Sequence, residues 1–207
     1  MSTSYGQDTL TPCKFSIDVA PLNFIDLYTC PAYQVGIECK IFKAFSIHLQ
    51  GGQYFRIQHQ WGSRLNNLSG YLIKCELKYY LNRPQLSRGS YIALEAIYKT
   101  QNYDWQDSIH LTPAYLTTYQ VTKYISAFNL KIGDLIAFKS GIILDFYAGL
   151  GLRYRKLNTS LTTQEVNALK YSDDSNYDGN EAGGMGAPAN YWNPNIVLGF
   201  RIGYILK

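Results

Sequence analysis

The stretch that decides the fold is Ile142-Ile143-Leu144-Asp145-Phe146-Tyr147-Ala148-Gly149-Leu150-Gly151-Leu152-Arg153-Tyr154, answered near the C-terminus by Asn195-Ile196-Val197-Leu198-Gly199-Phe200-Arg201-Ile202-Gly203-Tyr204-Ile205-Leu206. Both runs alternate. One face reads Leu144, Phe146, Ala148, Leu150, Leu152 and Tyr154, then Ile196, Leu198, Phe200, Ile202, Tyr204 and Leu206. The other carries Asp145, Tyr147, Gly149, Gly151 and Arg153, then Val197, Gly199, Arg201 and Gly203. Successive side chains of a strand point to opposite faces, so each run has one apolar face and one small or charged face. That is the reverse of a soluble barrel. It suits a barrel in lipid, with apolar groups outside and polar groups in the lumen.

Composition agrees with this. Aromatics make up 15% of the 207 residues, with 19 tyrosines, and charged residues only 16%, against roughly 25% in average soluble domains. A net charge of +4 with no basic cluster interleaved with aromatics excludes a nucleic-acid partner. No run of about 18 apolar residues provides a transmembrane helix. The opening Met1-Ser2-Thr3-Ser4-Tyr5-Gly6 lacks the basic start and apolar core of a secretory signal. Export therefore implies that a signal peptide has been removed. Cys39 and Cys75 fall on the apolar faces of different strands and read as small hydrophobes. Cys13 and Cys30 flank the first strand at opposite ends, too far apart for a bridge.

Read outward from the closing runs, the chain divides into a flexible tail, residues 1–13, and a barrel, residues 14–207. Alternation predicts strands near 14–23, 32–42, 45–55, 70–81, 90–101 and 118–138, followed by the two closing runs. Gly51-Gly52 is read as a bulge, and the sixth strand as bent or bulged once. Connections after the second, fourth and sixth strands are short. Those after the third, fifth and seventh are long, above all residues 157–191. This asymmetry puts the short turns on the periplasmic side. The fold class is all-β, an eight-stranded antiparallel up-and-down transmembrane β-barrel.

The two closing runs resemble the last two strands of small OmpA/OmpX-type outer-membrane barrels, and are most similar to a Bacteroidetes-type family of uncharacterised β-barrels. Weaker similarity extends from about Phe15 onward. The resemblance implies a bacterial outer-membrane location and supplies no catalytic residues.

The polar faces nominate a lumen charge network of Asp18, Glu38, Lys40, Lys74, Glu76, Lys78, Glu95, Lys99, Asp145, Arg153 and Arg201, with His48 on the same face. An eight-stranded barrel is only wide enough for its side chains to fill, so these charges are expected to pair and plug it. His48, His59 and His110 show no metal spacing. Asp174, Asn176 and Asp178, before Gly179, match the start of a calcium loop, with Met185 at the place of the closing Glu and Glu181 nearby. Thr162-Thr163-Gln164-Glu165 reads as a capping box for a short helix through about Lys170. Tyr103, Trp105, Tyr115, Tyr119, Tyr171, Tyr177, Tyr191 and Trp192 read as loop aromatics. Among them Tyr119, Tyr191 and Trp192 are placed in a headgroup girdle.

The resulting expectation is a non-catalytic structural or accessory protein with a plugged polar lumen, set in outer-membrane lipid. Its external loops would bind a partner protein or surface polymer, and no cofactor is expected beyond the candidate Ca2+ of loop 174–181. Two rival readings stay open: an outer-membrane lipid-modifying enzyme of lipid A acylase or deacylase type, and a soluble lipocalin-like barrel.

Overall fold

The computed structural model describes residues 15–21, 31–42, 44–55, 65–81, 88–109, 111, 113–172 and 190–206. The tail, Cys13, Cys30, His59, His110 and the calcium-loop residues Asp174, Asn176 and Asp178 lie outside them. Eight strands run in order: β1 (Phe15–Val19), β2 (Ala32–Lys40), β3 (Phe45–Tyr54), β4 (Leu65–Tyr80), β5 (Arg88–Ile109), β6 (Tyr115–Ala137), β7 (Ile142–Thr159) and β8 (Asn190–Leu206). A helix, α1 (Thr163–Ser172), lies between β7 and β8. Each strand pairs antiparallel with the next, and β1 pairs with β8, closing the barrel. β1 meets β8 over five register pairs, Phe15–Val19 with Leu206–Ile202, and there the two outermost strands of the sheet satisfy each other's backbone groups.

The register sets the barrel's shape. Asp18 pairs with Gly203 of β8 on one side. Followed the other way, through Gly36, Gln50, Lys74, Ile97, Ala127 and Arg153, the ladder returns to β8 at Asn193. That is ten residues from Gly203, a shear that tilts eight strands by roughly 35–45°.

The outer wall is apolar. Leu150, Ile196 and Leu198 are 67%, 78% and 81% exposed. Aromatic pairs ring its two ends. Tyr33–Phe55, Tyr71–Tyr98 and Tyr154–Trp192 lie toward the long connections, and Phe45–Tyr79 toward the short turns. On β7 the outward positions run from Ile142 to Tyr154. At about 3.3 Å per residue on a tilted strand they span about 30 Å, the thickness of a bilayer's hydrocarbon core. Cys39 and Cys75 form no disulfide; Cys39 is half-buried and Cys75 exposed.

The strands outrun their expected ends and continue through stretches whose composition suggests loops. β4 begins at Leu65, β5 continues to Ile109, β6 starts at Tyr115 and β7 continues to Thr159. Only β1 is shorter. The polar composition of 102–109 and 115–117 marks strands that leave the apolar belt rather than a loop. Gly51 and Gly52 make no bulge, since both neighbouring registers run through them unbroken. A Cβ at Gly52 would crowd the Tyr33 carbonyl and the Gln34 side chain, so close approach explains the residue. β6 is also unbroken, paired from Tyr115 to Ile136 with β5. The irregularity falls instead in β4 between Asn66 and Ser69, where Asn67 has φ 52°. Gly141 closes the β6–β7 turn with φ 92°, its N–H donating to the Phe138 carbonyl. Glycine adopts such a φ without steric cost.

Leu198 lies near mid-height on the outer wall. Leu198→Arg should cost about 2–4 kcal/mol in lipid vesicles, the midplane cost for Arg on a barrel's lipid face. Urea unfolding from vesicles checks this. An unchanged midpoint would mean the wall does not face hydrocarbon.

Candidate functional site

Inward positions of all eight strands meet in one polar layer toward the short-turn end. Acids and bases alternate through it. Lys78 Nζ donates to Glu38 Oε2 at 2.7 Å and to Asp145 Oδ2 at 2.9 Å. Arg201 Nη1 donates to Asp145 Oδ2 at 3.1 Å and Nη2 to Glu76 Oε2 at 2.7 Å. Lys131 Nζ lies 3.1 Å from both Glu76 Oε2 and Glu95 Oε2. The order Glu38–Lys78–Asp145–Arg201–Glu76–Lys131–Glu95 thus crosses the lumen without a break. His48 joins from the side, its Nε2 2.8 Å from Asp18 Oδ2 and its Nδ1 3.6 Å from Glu76 Oε2.

Neutral donors complete the carboxylates. Ser46 and Tyr80 hydroxyls both donate to Glu38 Oε1 at 2.6 Å, Tyr91 donates to Asp145 Oδ1 at 2.6 Å, and Asn129 donates to Glu95 Oε1 at 2.9 Å. Tyrosine faces hold the cations. Lys78 sits 4.5 Å from the Tyr91 ring centre. Lys131 and Arg201 share Tyr147 at 3.8 and 4.5 Å. Such a ring needs an empty place opposite. A Cβ at Gly199 would come within 2.6 Å of the Tyr147 hydroxyl, which gives the polar-face glycine a function.

Of the residues nominated from the sequence, Asp18, Glu38, Glu76, Lys78, Glu95, Asp145 and Arg201 come together here, all buried. Lys74 is also buried, but its ammonium donates to Gln34 Oε1 at 2.8 Å rather than to a carboxylate. Lys40, Lys99 and Arg153 are half-buried. They stand farther along their strands, Lys40 beyond Glu38 toward the short turns and the other two toward the opposite end. Lys131, Tyr80, Tyr91, Tyr147 and Asn129 are members that the sequence did not nominate. β6 hides Lys131 because its inward face mixes Val121, Ile125 and Ala127 with Lys123, Asn129 and Lys131. The outward trio Phe128, Leu130 and Ile132 was the available signal.

Toward the long-connection end the same inner face turns apolar. Tyr103, Ile109, Tyr119, Val121 and Leu157 form a buried cluster, with Leu68, Trp105, Leu161 and Ala168 packed on it. Tyr103 and Tyr119 are therefore interior residues, not loop or girdle aromatics. Tyr191 also turns inward, its hydroxyl accepting from Arg155 Nη1 at 2.6 Å and its ring 5.2 Å from that guanidinium. Trp192 is 62% exposed on the outer wall, its ring centre 5.2 Å from that of Tyr154. Helix α1 rests on this cluster through Ala168. Its start is the expected capping box: the Thr162 N–H donates to Glu165 Oε2 at 2.7 Å, and the Glu165 N–H to Thr162 Oγ1 at 3.4 Å. Tyr115 of the projecting β5–β6 hairpin donates its hydroxyl to Glu165 Oε1 at 2.7 Å. Among the described residues no group of three or more His, Cys, Asp or Glu side chains is arranged to hold a metal ion.

No protein-family model and no curated protein matches this chain. Among solved structures it is similar to the crystal structure of a major outer membrane protein from Thermus thermophilus, with a TM-score of 0.48 and 12% identity over 95% of this chain and 100% of that one.

Two measurements probe the site. Lys78→Met leaves Glu38 and Asp145 without their shared cation and should cost about 3–5 kcal/mol. Adding Glu38→Gln should recover part of the loss, because the two positions are coupled. Additive urea-midpoint shifts would refute that coupling. At α1, hydrogen bonds from Thr162 and then Tyr115 hold the Glu165 carboxyl below its usual range. The folded group titrates lower than the unfolded one. The stabilisation is therefore complete above the ordinary Glu value and is lost as pH falls through the lowered one. Thr162→Ala should move the Glu165 carboxyl midpoint upward by NMR.

Proposed function

We propose that this chain is a non-catalytic bacterial outer-membrane β-barrel, structural or accessory in kind, whose lumen is plugged and whose external end binds a partner protein or surface polymer. The apolar outer wall, the aromatic pairs at both its ends and the polar interior support the membrane location. They also weigh against a soluble lipocalin-like barrel, which would point its apolar residues inward. The short turns and the strand ends Phe15 and Leu206 share one end, which this reading places in the periplasm. The resemblance of the closing strands to small OmpA/OmpX-type barrels points the same way.

The observation that carries the reading is the stacking of two closures. An unbroken ion-pair chain crosses the lumen, and an apolar cluster covers it on the external side. The side chains named in both layers are buried. What stands free is the β5–β6 hairpin, paired to its tip at Ile109 and Tyr115 and braced by α1. Its exposed residues include Leu111 and Leu116. A rigid projection with apolar side chains at the tip is suited to contact, since little ordering entropy remains to be lost on binding.

In planar bilayers the folded protein should show no stepwise conductance. Steady ohmic steps would overturn the plug. Leu111→Ser with Leu116→Ser should leave heat-modifiable migration unchanged and abolish co-purification of partners from native membranes. Undiminished co-purification would remove the hairpin as the binding surface.

A further inference from the structure

The outward face of β5, β6 and β7 changes chemistry at one ladder. Tyr98, Ser126, Tyr154 and Trp192 are cross-strand neighbours there. On the membrane side of them the outward positions are apolar and exposed, as at Phe128, Leu130, Leu150 and Leu152. The first outward ladder beyond them is Tyr124, Lys156 and Asn190. Asn102, Thr122 and Asn158 follow, then Asp104 with Gln120 and Gln106 with Thr118. Lys156, Asn158, Asn102, Gln120 and Thr118 are exposed, while Tyr124 and Thr122 are half-buried. Helix α1 packs on the other face of these strands, where Ala168 meets the cluster of Tyr103, Tyr119 and Leu157.

Between the Tyr124–Lys156 ladder and Thr118 this face is built from amides and hydroxyls. The exception is Asp104, which accepts a hydrogen bond from Asn67 Nδ2 at 2.6 Å. A strand face that meets only water is usually kept soluble by Lys and Glu. Amides and hydroxyls each donate and accept, as sugar hydroxyls do. A tyrosine ring offers a flat apolar surface to the C–H face of a pyranose. Lys156 supplies a point charge suited to a phosphate. The face is also continuous with the apolar wall, since it takes the next outward positions of the same strands. Whatever projects from the headgroup of a lipid seated against Leu150, Leu152 and Tyr154 must pass along it.

We propose that this face binds the saccharide headgroup of a phosphorylated glycolipid in the leaflet at the long-connection end. The acyl chains lie along the apolar wall, and a headgroup phosphate meets Lys156. One sugar ring rests on Tyr124, and the sugars beyond it bond to Asn102, Thr122 and Asn158. The strand pair that carries these side chains is already ordered by its ladder, so binding sacrifices little backbone freedom. The proposal rests on the membrane reading above. It adds a lipid contact at the root of the hairpin to the partner contact at its tip.

The test is native mass spectrometry of protein released from vesicles holding equal parts of core-bearing lipopolysaccharide, lipid A stripped of its core sugars, and phosphatidylglycerol. The wild type should retain the core-bearing lipid in preference to both others. Lys156→Gln should lower its retention about tenfold, the effect of one charge-assisted hydrogen bond. Asn102→Ala with Asn158→Ala should remove the preference for the core-bearing lipid over lipid A. Leu111→Ser with Leu116→Ser, at the tip, should leave that preference unchanged. Heat-modifiable migration confirms that each variant is folded. Equal retention of the three lipids by the wild type, a preference untouched by Asn102→Ala with Asn158→Ala, or displacement of the lipid by an equal concentration of free core oligosaccharide would each overturn the site while leaving the barrel reading intact. A chain that stays monodisperse and folded without detergent, and ignores vesicles, would overturn the membrane reading itself.

Discussion

The structure depends on the width of an eight-stranded lumen. At that width inward side chains from opposite walls touch, so no inward charge can be left to water. Each must find an opposite charge or a hydrogen-bonding partner at contact distance. The chain from Glu38 through Lys78, Asp145, Arg201, Glu76 and Lys131 to Glu95 meets this demand, with every cation between two acids. Buried ion pairs often add little net stability over apolar packing of equal volume. Here they can specify register. A slip of one residue on β7 or β8 would turn Asp145 and Arg201 into lipid and bring Phe146 and Phe200 inward, an exchange that penalises both faces at once.

The inner face changes chemistry along the axis without changing its alternation. Below the ion layer and beside it, Tyr80, Tyr91 and Ala93 form a small packed group. Above it, Tyr103, Ile109, Tyr119, Val121 and Leu157 form a larger one. A barrel in lipid has no hydrophobic effect acting on its wall, so apolar burial is available only inside or outside the membrane. The external cluster uses it where β5, β6 and β7 rise past the apolar belt, which explains why a hairpin of polar outer composition stays a strand pair to its tip. The same cluster gives α1 a surface to rest on. Glu165 then serves both Thr162 at the helix start and Tyr115 on the hairpin.

Alternation made the fold class legible, because seven of the eight strands carry apolar residues on one face and polar or small ones on the other. It located Asp18, Glu38, Glu76, Lys78, Glu95, Asp145 and Arg201 on the inner face. It failed at β6, whose inward Val121, Ile125 and Ala127 are apolar, so that Lys131 had no polar stripe to belong to. It also failed at the strand ends. Polarity reports contact with lipid, and a strand that leaves lipid keeps its ladder while losing its pattern. Gly52 misleads for a similar reason. Glycine in a strand signals either a bulge or a close neighbour, and only the neighbours Tyr33, Gln34 and Leu72 distinguish them there; Gly51 has no such neighbours.

What the sequence by itself determined is which side of each strand faces outward, since a period of two is a local property of the chain. The partners within the lumen were decided by tertiary structure. Arg201 meets Glu76 across 125 positions of sequence, and only closure with a shear of ten sets those two side chains at one height. The registers of β6 with β7 and of β7 with β8 place Asp134 beside Phe146 and Ala148 beside Leu198, making a groove from residues that alternation alone assigns to a featureless wall.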